Sequence, residues 1–278
     1  MNGRFQGRFD HAVILVPDLA AASATYERLG FAVSPGGRHE GLGTHNALIR
    51  FGVDYLELLA VHDRDLALST DRGQALLDLI SAGNGGLASF ALATERIEKD
   101  AERFAETRLA ATGPFAMKRM RPDGKLLSWR LLVPEGSSWR VPWPFFIQWD
   151  QSDETRLSWE RSGGHSNGAS RVIGVSVAVR DLDAAADLYA RQLGIEVSGV
   201  ENVPEIGARR RVARVGGCDI ALCAPAGDGI IAARLRDAGQ GIYEVGLETT
   251  GTPRVIEAAD ALGARFVLRQ RVPEKAAV

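Results

Sequence analysis

The alternation of apolar and polar positions between Phe9 and Val61 predicts four strands and one helix. FDHAVILV is a β-rich run with Phe9, His11, Val13 and Leu15 on one face and Ala12, Ile14 and Val16 on the other. Pro17 and Asp18 end it and open a helix whose Leu19, Ala22, Tyr26 and Leu29 form one stripe, stopped at Gly30. Phe31 to Val33 reads as a brief second strand. SPGGRHEGLGT then reads as a glycine-rich loop that delivers His39, Thr44 and His45 to a third strand, NALIRFG. The fourth strand, DYLELLAV, carries Tyr55, Glu57 and Leu59 on one face. Glu57 is the polar exception in this run, and burying a carboxylate is costly unless it is paired, protonated or bound to a metal.

The pattern recurs. After a linking helix, DRGQALLDLISAG, the stretch GGLASFALATERIEKDAERFAETRL starts a second strand and helix. Phe115 to Met120, LLSWRLLV and PFFIQWD supply three more strands. From Gln151 to Ser170 the chain turns polar and rich in Gly and Ser, the composition of a linker. A third start, VSVAVRDLDAAADLYARQLGIEV, repeats VILVPDLAAASATYERLGFAV with one extra residue late in the helix. Asp18 and Tyr26 pair with Asp181 and Tyr189 at an offset of 163, and Gly30, Arg50 and Gly52 pair with Gly194, Arg214 and Gly216 at 164. The same register puts Gly174 where His11 stands and Ala221 where Glu57 stands, so the second copy lacks both polar groups. A fourth start, GIYEVGLETTGTPRVIEAADALGARFVL, predicts a strand and a helix, with too little chain after it for two more strands. The expected organisation is an N-terminal half over 1–155, a linker over 156–170 and a C-terminal half over 171–278.

Composition narrows the function. At 278 residues and 45% hydrophobic content the chain can build packed cores. A formal charge of -2, from 33 basic and 35 acidic side chains, argues against nucleic acid or an anionic membrane as partner and for a small molecule. No run approaches the roughly 20 apolar residues of a membrane span, and MNGRFQGRFD has no apolar signal core, so the expected location is cytoplasmic. Cys218 and Cys223 fall on opposite faces of one strand and read as small buried hydrophobes, neither disulfide nor metal clip.

Four βαβββ modules in two halves, with a histidine in a first strand and a glutamate in a fourth, resemble the vicinal oxygen chelate superfamily. FDHAVILVPDL, HEGLGTHNALIRFG, YLELL and PFFIQWD are most similar to its glyoxalase-like branch, and the resemblance covers nearly the whole chain. It implies an α+β fold of repeated βαβββ modules paired into two cup-shaped mixed-sheet halves, the fourth module incomplete. It also implies a divalent metal (Fe, Mn, Ni or Zn) inside the cup, on ligands from the first and fourth strands. These map to His11 and Glu57 in the first module and to Ser89 and Gln148 in the second. Ser89 is a poor ligand, which leaves His11, Glu57 and Gln148. Glu57 is alternatively a general base.

The implied function is a metal-dependent isomerase, lyase or dioxygenase that chelates vicinal oxygens of a small molecule. The alternative is a metal-free binding or sequestering protein of bleomycin-resistance type. Expected substrate contacts are His45 and Asn46 from the glycine-rich loop, Trp129 and Trp149 from a cluster that also holds Trp139 and Trp143, and Arg130 for a carboxylate. The plainer reading of the tryptophans is core packing. Edge strands and the incomplete fourth module are compatible with a homodimer.

Overall fold

The computed structural model describes residues 4–83, 85–136, 138–160 and 162–270. The first module is β1 (Gly7–Leu15), α1 (Leu19–Arg28), β2 (Ser34–His39), β3 (Thr44–Arg50) and β4 (Tyr55–Val61). Two helices, α2 (Arg64–Leu68) and α3 (Asp71–Ser81), lead to the second module. This comprises β5 (Gly86–Thr94), α4 (Ile97–Glu106), β6 (Ala111–Met120), β7 (Leu126–Pro134) and β8 (Phe145–Trp149), followed by α5 (Asp153–Trp159). The eight strands close into a barrel in the order β1-β4-β3-β2-β6-β7-β8-β5. The expected cup is thus a closed one. Helix α5 straddles the expected boundary at 155/156 and packs on the barrel.

The second strand is not Phe31 to Val33 but β2, taken from the stretch read as a loop. Its glycines allow the close approach that the pairing needs: a Cβ on Gly36 would lie 1.9 Å from Asn46 Oδ1 on β3. Phe31 is instead a core anchor, packed between Tyr26 and Phe266.

The C-terminal half is an open sheet. Its elements are β9 (Ala169–Ala178), α6 (Leu182–Asp187), β10 (Glu201–Val203), β11 (Ala208–Val215), β12 (Cys218–Pro225), α7 (Ile230–Ala238), β13 (Gly241–Thr249), β14 (Arg254–Ile256) and β15 (Arg265–Gln270). They pair in the order β10-β11-β12-β9-β13-β15-β14. The helix expected after β13 is absent. The chain turns through Gly251 and Pro253 into β14, and a series of turns then leads to β15.

The repeat read from the sequence is visible in the ladders. His11 pairs with Tyr55 and Val13 with Glu57, while Gly174 pairs with Asp219 and Ser176 with Ala221. Asp18 and Asp181 both cap their helices, accepting from Ala21 N–H at 2.8 Å and Ala184 N–H at 2.9 Å. The one extra residue of the second copy is absorbed in a π-helical turn, Leu188–Gln192, directly after α6.

The paired tyrosines cross between the halves in opposite directions. Tyr26 donates to the Ala261 carbonyl at 3.0 Å, and Tyr189 donates to the Pro142 carbonyl at 2.9 Å. One continuous apolar core runs through both. The connecting segment is pinned as well. His165 accepts from Ala32 N–H at Nδ1 and donates from Nε2 to the Arg50 carbonyl, both at 2.9 Å, and Asn167 donates to the Leu29 carbonyl at 3.1 Å. Each tyrosine hydroxyl is buried, with one hydrogen-bond partner among the described residues. Tyr26→Phe and Tyr189→Phe should therefore each cost about 1 kcal/mol, and the double variant about their sum, in urea denaturation.

Candidate functional site

Alternation turns His11 and Val13 of β1, Tyr55, Glu57 and Leu59 of β4, and Thr44 and Asn46 of β3 into the barrel. Met117 and Arg119 of β6, Trp129 and Leu131 of β7, and Phe145, Ile147 and Trp149 of β8 join them around a cavity in the barrel interior. A largely apolar, aromatic lining with a few convergent polar groups is the usual character of a small-molecule pocket. Helix α3, which follows β4, covers one mouth with Thr70, Arg72, Gly73 and Leu76. Strand β8 runs opposite to β4, so α5 closes the other end, where the Arg156 guanidinium lies 3.8 Å from the centre of the Trp149 ring.

Glu57 is the centre of the interior. Asn46 Nδ2 donates to its Oε1 at 2.6 Å, His39 Nε2 lies 3.7 Å from the same oxygen, and His11 Nε2 lies 3.6 Å from Oε2. Burial pushes the Glu57 pKa up. The imidazoles of His11 and His39, the Asn46 amide and Arg119 outweigh this and hold it below the usual value. Asp10 is the extra residue of a bulge in the β1/β5 ladder, between the pairs Phe9–Leu92 and His11–Ala91. Burial raises its pKa, but Arg156, His11 and Arg8 together drive it far below the carboxylate range. As an ionised acceptor 2.8 Å from His11 Nδ1, Asp10 fixes the proton on that nitrogen and leaves Nε2 to face Glu57. Trp149 Nε1 also donates to Asp10, at 3.1 Å.

A second layer holds Asn46. Arg119 donates to its Oδ1 at 2.9 Å, and Arg119, Arg121 and Arg50 converge on the buried Glu160 at 3.2, 2.7 and 2.5 Å. His39, with Nδ1 2.9 Å from Thr44 Oγ1, is pushed down to about 4, chiefly by burial and against the pull of Glu57, so it is neutral at neutral pH.

The structure brings together His11, Glu57, Asn46, Trp129 and Trp149 of the residues expected from sequence. Gln148 does not join them. It lies three residues from Phe145, hence on the outer face, where its Oε1 accepts from Ile97 N–H at 2.8 Å at the start of α4. Arg130, directly opposite Gln148, also points outward and pairs with Glu98. His45 faces outward against His62, one residue out of phase with Asn46. Trp139 lines the cavity, whereas Trp143 packs on the outer core. Asp10, Arg72, Arg119 and Glu160 were not marked by sequence.

Comparison with known proteins agrees with this architecture. The family described as "Glyoxalase-like domain" matches residues 9–180, more than half of the chain. The protein belongs to the glyoxalase-like domain family. A second match, "Glyoxalase/Bleomycin resistance protein/Dioxygenase superfamily", covers residues 175–277, so both halves lie within the vicinal oxygen chelate superfamily. No curated protein matches the chain. Among solved structures, a hypothetical protein from Staphylococcus aureus superposes with a TM-score of 0.74 at 18% identity, over 95% of this chain and 100% of its own. A xylose isomerase-like TIM barrel/4-hydroxyphenylpyruvate dioxygenase fusion protein gives 0.52 at 16% identity, over 88% of this chain and 37% of its own. At these identities the likeness is one of fold.

Divalent metals are common in this superfamily, and the glyoxalase-like barrel can be tested for one by its donors. The two-fold that exchanges β1 with β5 carries His11 onto Ser89 and Val13 onto Ala91. Glu57, beside Val13, then falls on Phe145, beside Ala91. The second module therefore offers a hydroxyl and a phenyl ring at the two ligand positions. Ser89 Oγ is buried without a hydrogen-bond partner among the described residues. His39 adds a second imidazole, but the Asn46 amide stands 3.4 Å from its Nε2 and occupies the facing oxygen of Glu57. Among the described residues no group of three or more His, Cys, Asp or Glu side chains is arranged to hold a metal ion. The donor set does not fit a two-module metal centre.

Two outcomes follow for stability. Glu160→Gln leaves buried arginines without their counter-charge and should cost about 3–5 kcal/mol in urea denaturation. His39 titrates near 6.5 when unfolded and near 4 when folded, so the unfolded state takes up its proton first as pH falls. Stability present above pH 6.5 should be lost progressively down to about pH 4, by about 3 kcal/mol from this group, and His39→Gln should flatten that slope.

Proposed function

We propose that the N-terminal barrel is the active site of an isomerase or lyase that moves a proton on a small oxygenated molecule. Glu57 takes the proton from carbon, and His11, held by Asp10, serves the neighbouring oxygen. The observation that carries this reading is the buried pair itself: a carboxylate and an Asp-held imidazole 3.6 Å apart, inside an aromatic-lined cavity. Asn46 occupies Oε1 of Glu57, while Oε2 accepts no hydrogen bond among the described residues and is open to a substrate proton. When its ring carries both protons, His11 keeps Nδ1–H on Asp10 and donates Nε2–H to the oxygen on which charge develops as the C–H bond breaks, while Glu57 holds the carbon's proton. Arg119, through Asn46, fixes the orientation of the carboxylate without touching the substrate. Trp129, Trp139 and Trp149 exclude water and pack the body of the molecule.

The same enclosed, aromatic cavity also supports the metal-free binding reading, and one experiment separates the two. The protein is incubated in D2O with mandelate, lactate and phenylpyruvate, and loss of the C–H signal is followed by proton NMR against protein-free controls. Enzyme-dependent exchange that falls by about 100-fold or more in Glu57→Gln, and strongly in His11→Ala, is the expected result. Exchange that persists in Glu57→Gln contradicts the assignment of the base. Binding without exchange favours sequestration.

A further inference from the structure

We propose that Arg72 is the anion anchor of this cavity, so that the substrate is a carboxylate bound with its charged end against α3 and its reacting carbon beside Glu57. The inference rests on reading the barrel interior as the substrate site and adds the chemical class of what enters it.

The barrel's other cavity-facing and plugging arginines have acidic or amide partners. Arg50, Arg119 and Arg121 meet Glu160, and Arg156 meets Asp10 and Asp153. Arg72 differs. It lines the cavity, yet among the described residues its guanidinium has neither a hydrogen-bond acceptor nor a carboxylate within ion-pair distance. Aromatic faces hold it instead, with Trp139 at 5.0 Å and Phe145 at 5.7 Å from ring centre to guanidinium carbon. Trp139 is itself fixed by donating its indole N–H to the Arg72 backbone carbonyl at 3.1 Å. The fork is therefore pre-positioned on a rigid aromatic shelf with its donors unspent. That is the arrangement in which a planar carboxylate is captured by two parallel hydrogen bonds.

The electrostatics point the same way. Burial disfavours the charged guanidinium, and the acid it senses is Glu57, which faces the same cavity beyond ion-pair distance. An incoming carboxylate supplies the missing counter-charge. Arg72 is the second residue of α3, an 11-residue helix whose N-terminus lines the same mouth and adds positive potential there. Glu57 repels a second negative group, so the anionic end belongs at α3 and the neutral, oxygenated end at His11 and Glu57. Arg130, expected from sequence to take this role, lies outside the barrel.

Intrinsic tryptophan fluorescence reads binding directly, because three tryptophans line the cavity. Acetate, lactate and mandelate are titrated, each against its uncharged amide, into the wild type, Arg72→Met and Arg72→Lys. Met keeps an apolar stem on Trp139, and Lys keeps the charge if Met fails to fold. The wild type should prefer at least one carboxylate over its amide by about tenfold or more. Arg72→Met should abolish that preference while changing amide affinity less than about threefold, and Arg72→Lys should retain only part of it. Glu57→Gln should keep or increase the preference. Absence of an Arg72-dependent preference in all three pairs overturns the proposal. Because the readout is binding, loss of hydrogen exchange with an intact Arg72 effect removes the catalytic reading and leaves the anchor standing.

Discussion

An ionised carboxylate enclosed in a barrel must be compensated from inside the barrel, and most of the N-terminal half is arranged around that requirement. Glu57 is met by side chains from three other strands: His11 on β1, His39 on β2 and Asn46 on β3. Asn46 in turn depends on Arg119, 73 residues away on β6, and Arg119 depends on Glu160 beyond α5. The Asn46–Arg119 link joins the first module to the second, so the complete network exists only when the barrel is closed. Closure and site are one structure, since removing a charge from the chain leaves its partner buried without compensation.

The two halves show what this requirement adds to a repeated module. Both copies keep the capping aspartate, the core tyrosine and the ladder register. In the second copy Gly174 and Ala221 replace His11 and Glu57, and its sheet stays open. It packs on the first half: Tyr26 and Tyr189 each donate a hydrogen bond across a shared core. Within the first half the division repeats. The second module contributes Ser89 and Phe145 where the first has His11 and Glu57, and it supplies walls of tryptophan, phenylalanine and leucine.

Much of this was legible in the sequence where a signal was local or periodic. The 163-residue repeat survived an inserted residue because a π-helical turn absorbed it. Glu57 stood out because a carboxylate in YLELL conflicts with its apolar neighbours. Readings failed where phase or closure decided the outcome. Gln148 and His45 each sit one step out of phase with the inner face, and alternation sends them outward. The glycines of SPGGRH read as loop, yet they form β2 because Asn46 needs the space over Gly36. The segment after Thr249 read as helix, but the Ala261 carbonyl is claimed by a tyrosine from the other half. Arg72 looked like part of a linking helix, and only the fold shows that this helix covers the barrel mouth.

The central claim is that the N-terminal barrel, and not the C-terminal sheet, holds the small-molecule site, with the ligand lying between α3 and Glu57. The most direct measurement is a crystal structure of the protein with 4-bromomandelate, in which the bromine is located by anomalous scattering. The account predicts bromine inside the N-terminal barrel, the carboxylate on Arg72 and the hydroxyl-bearing carbon beside Glu57 and His11. Bromine in the C-terminal sheet or between the halves, or a ligand inside the barrel with its carboxylate turned away from Arg72, would contradict it.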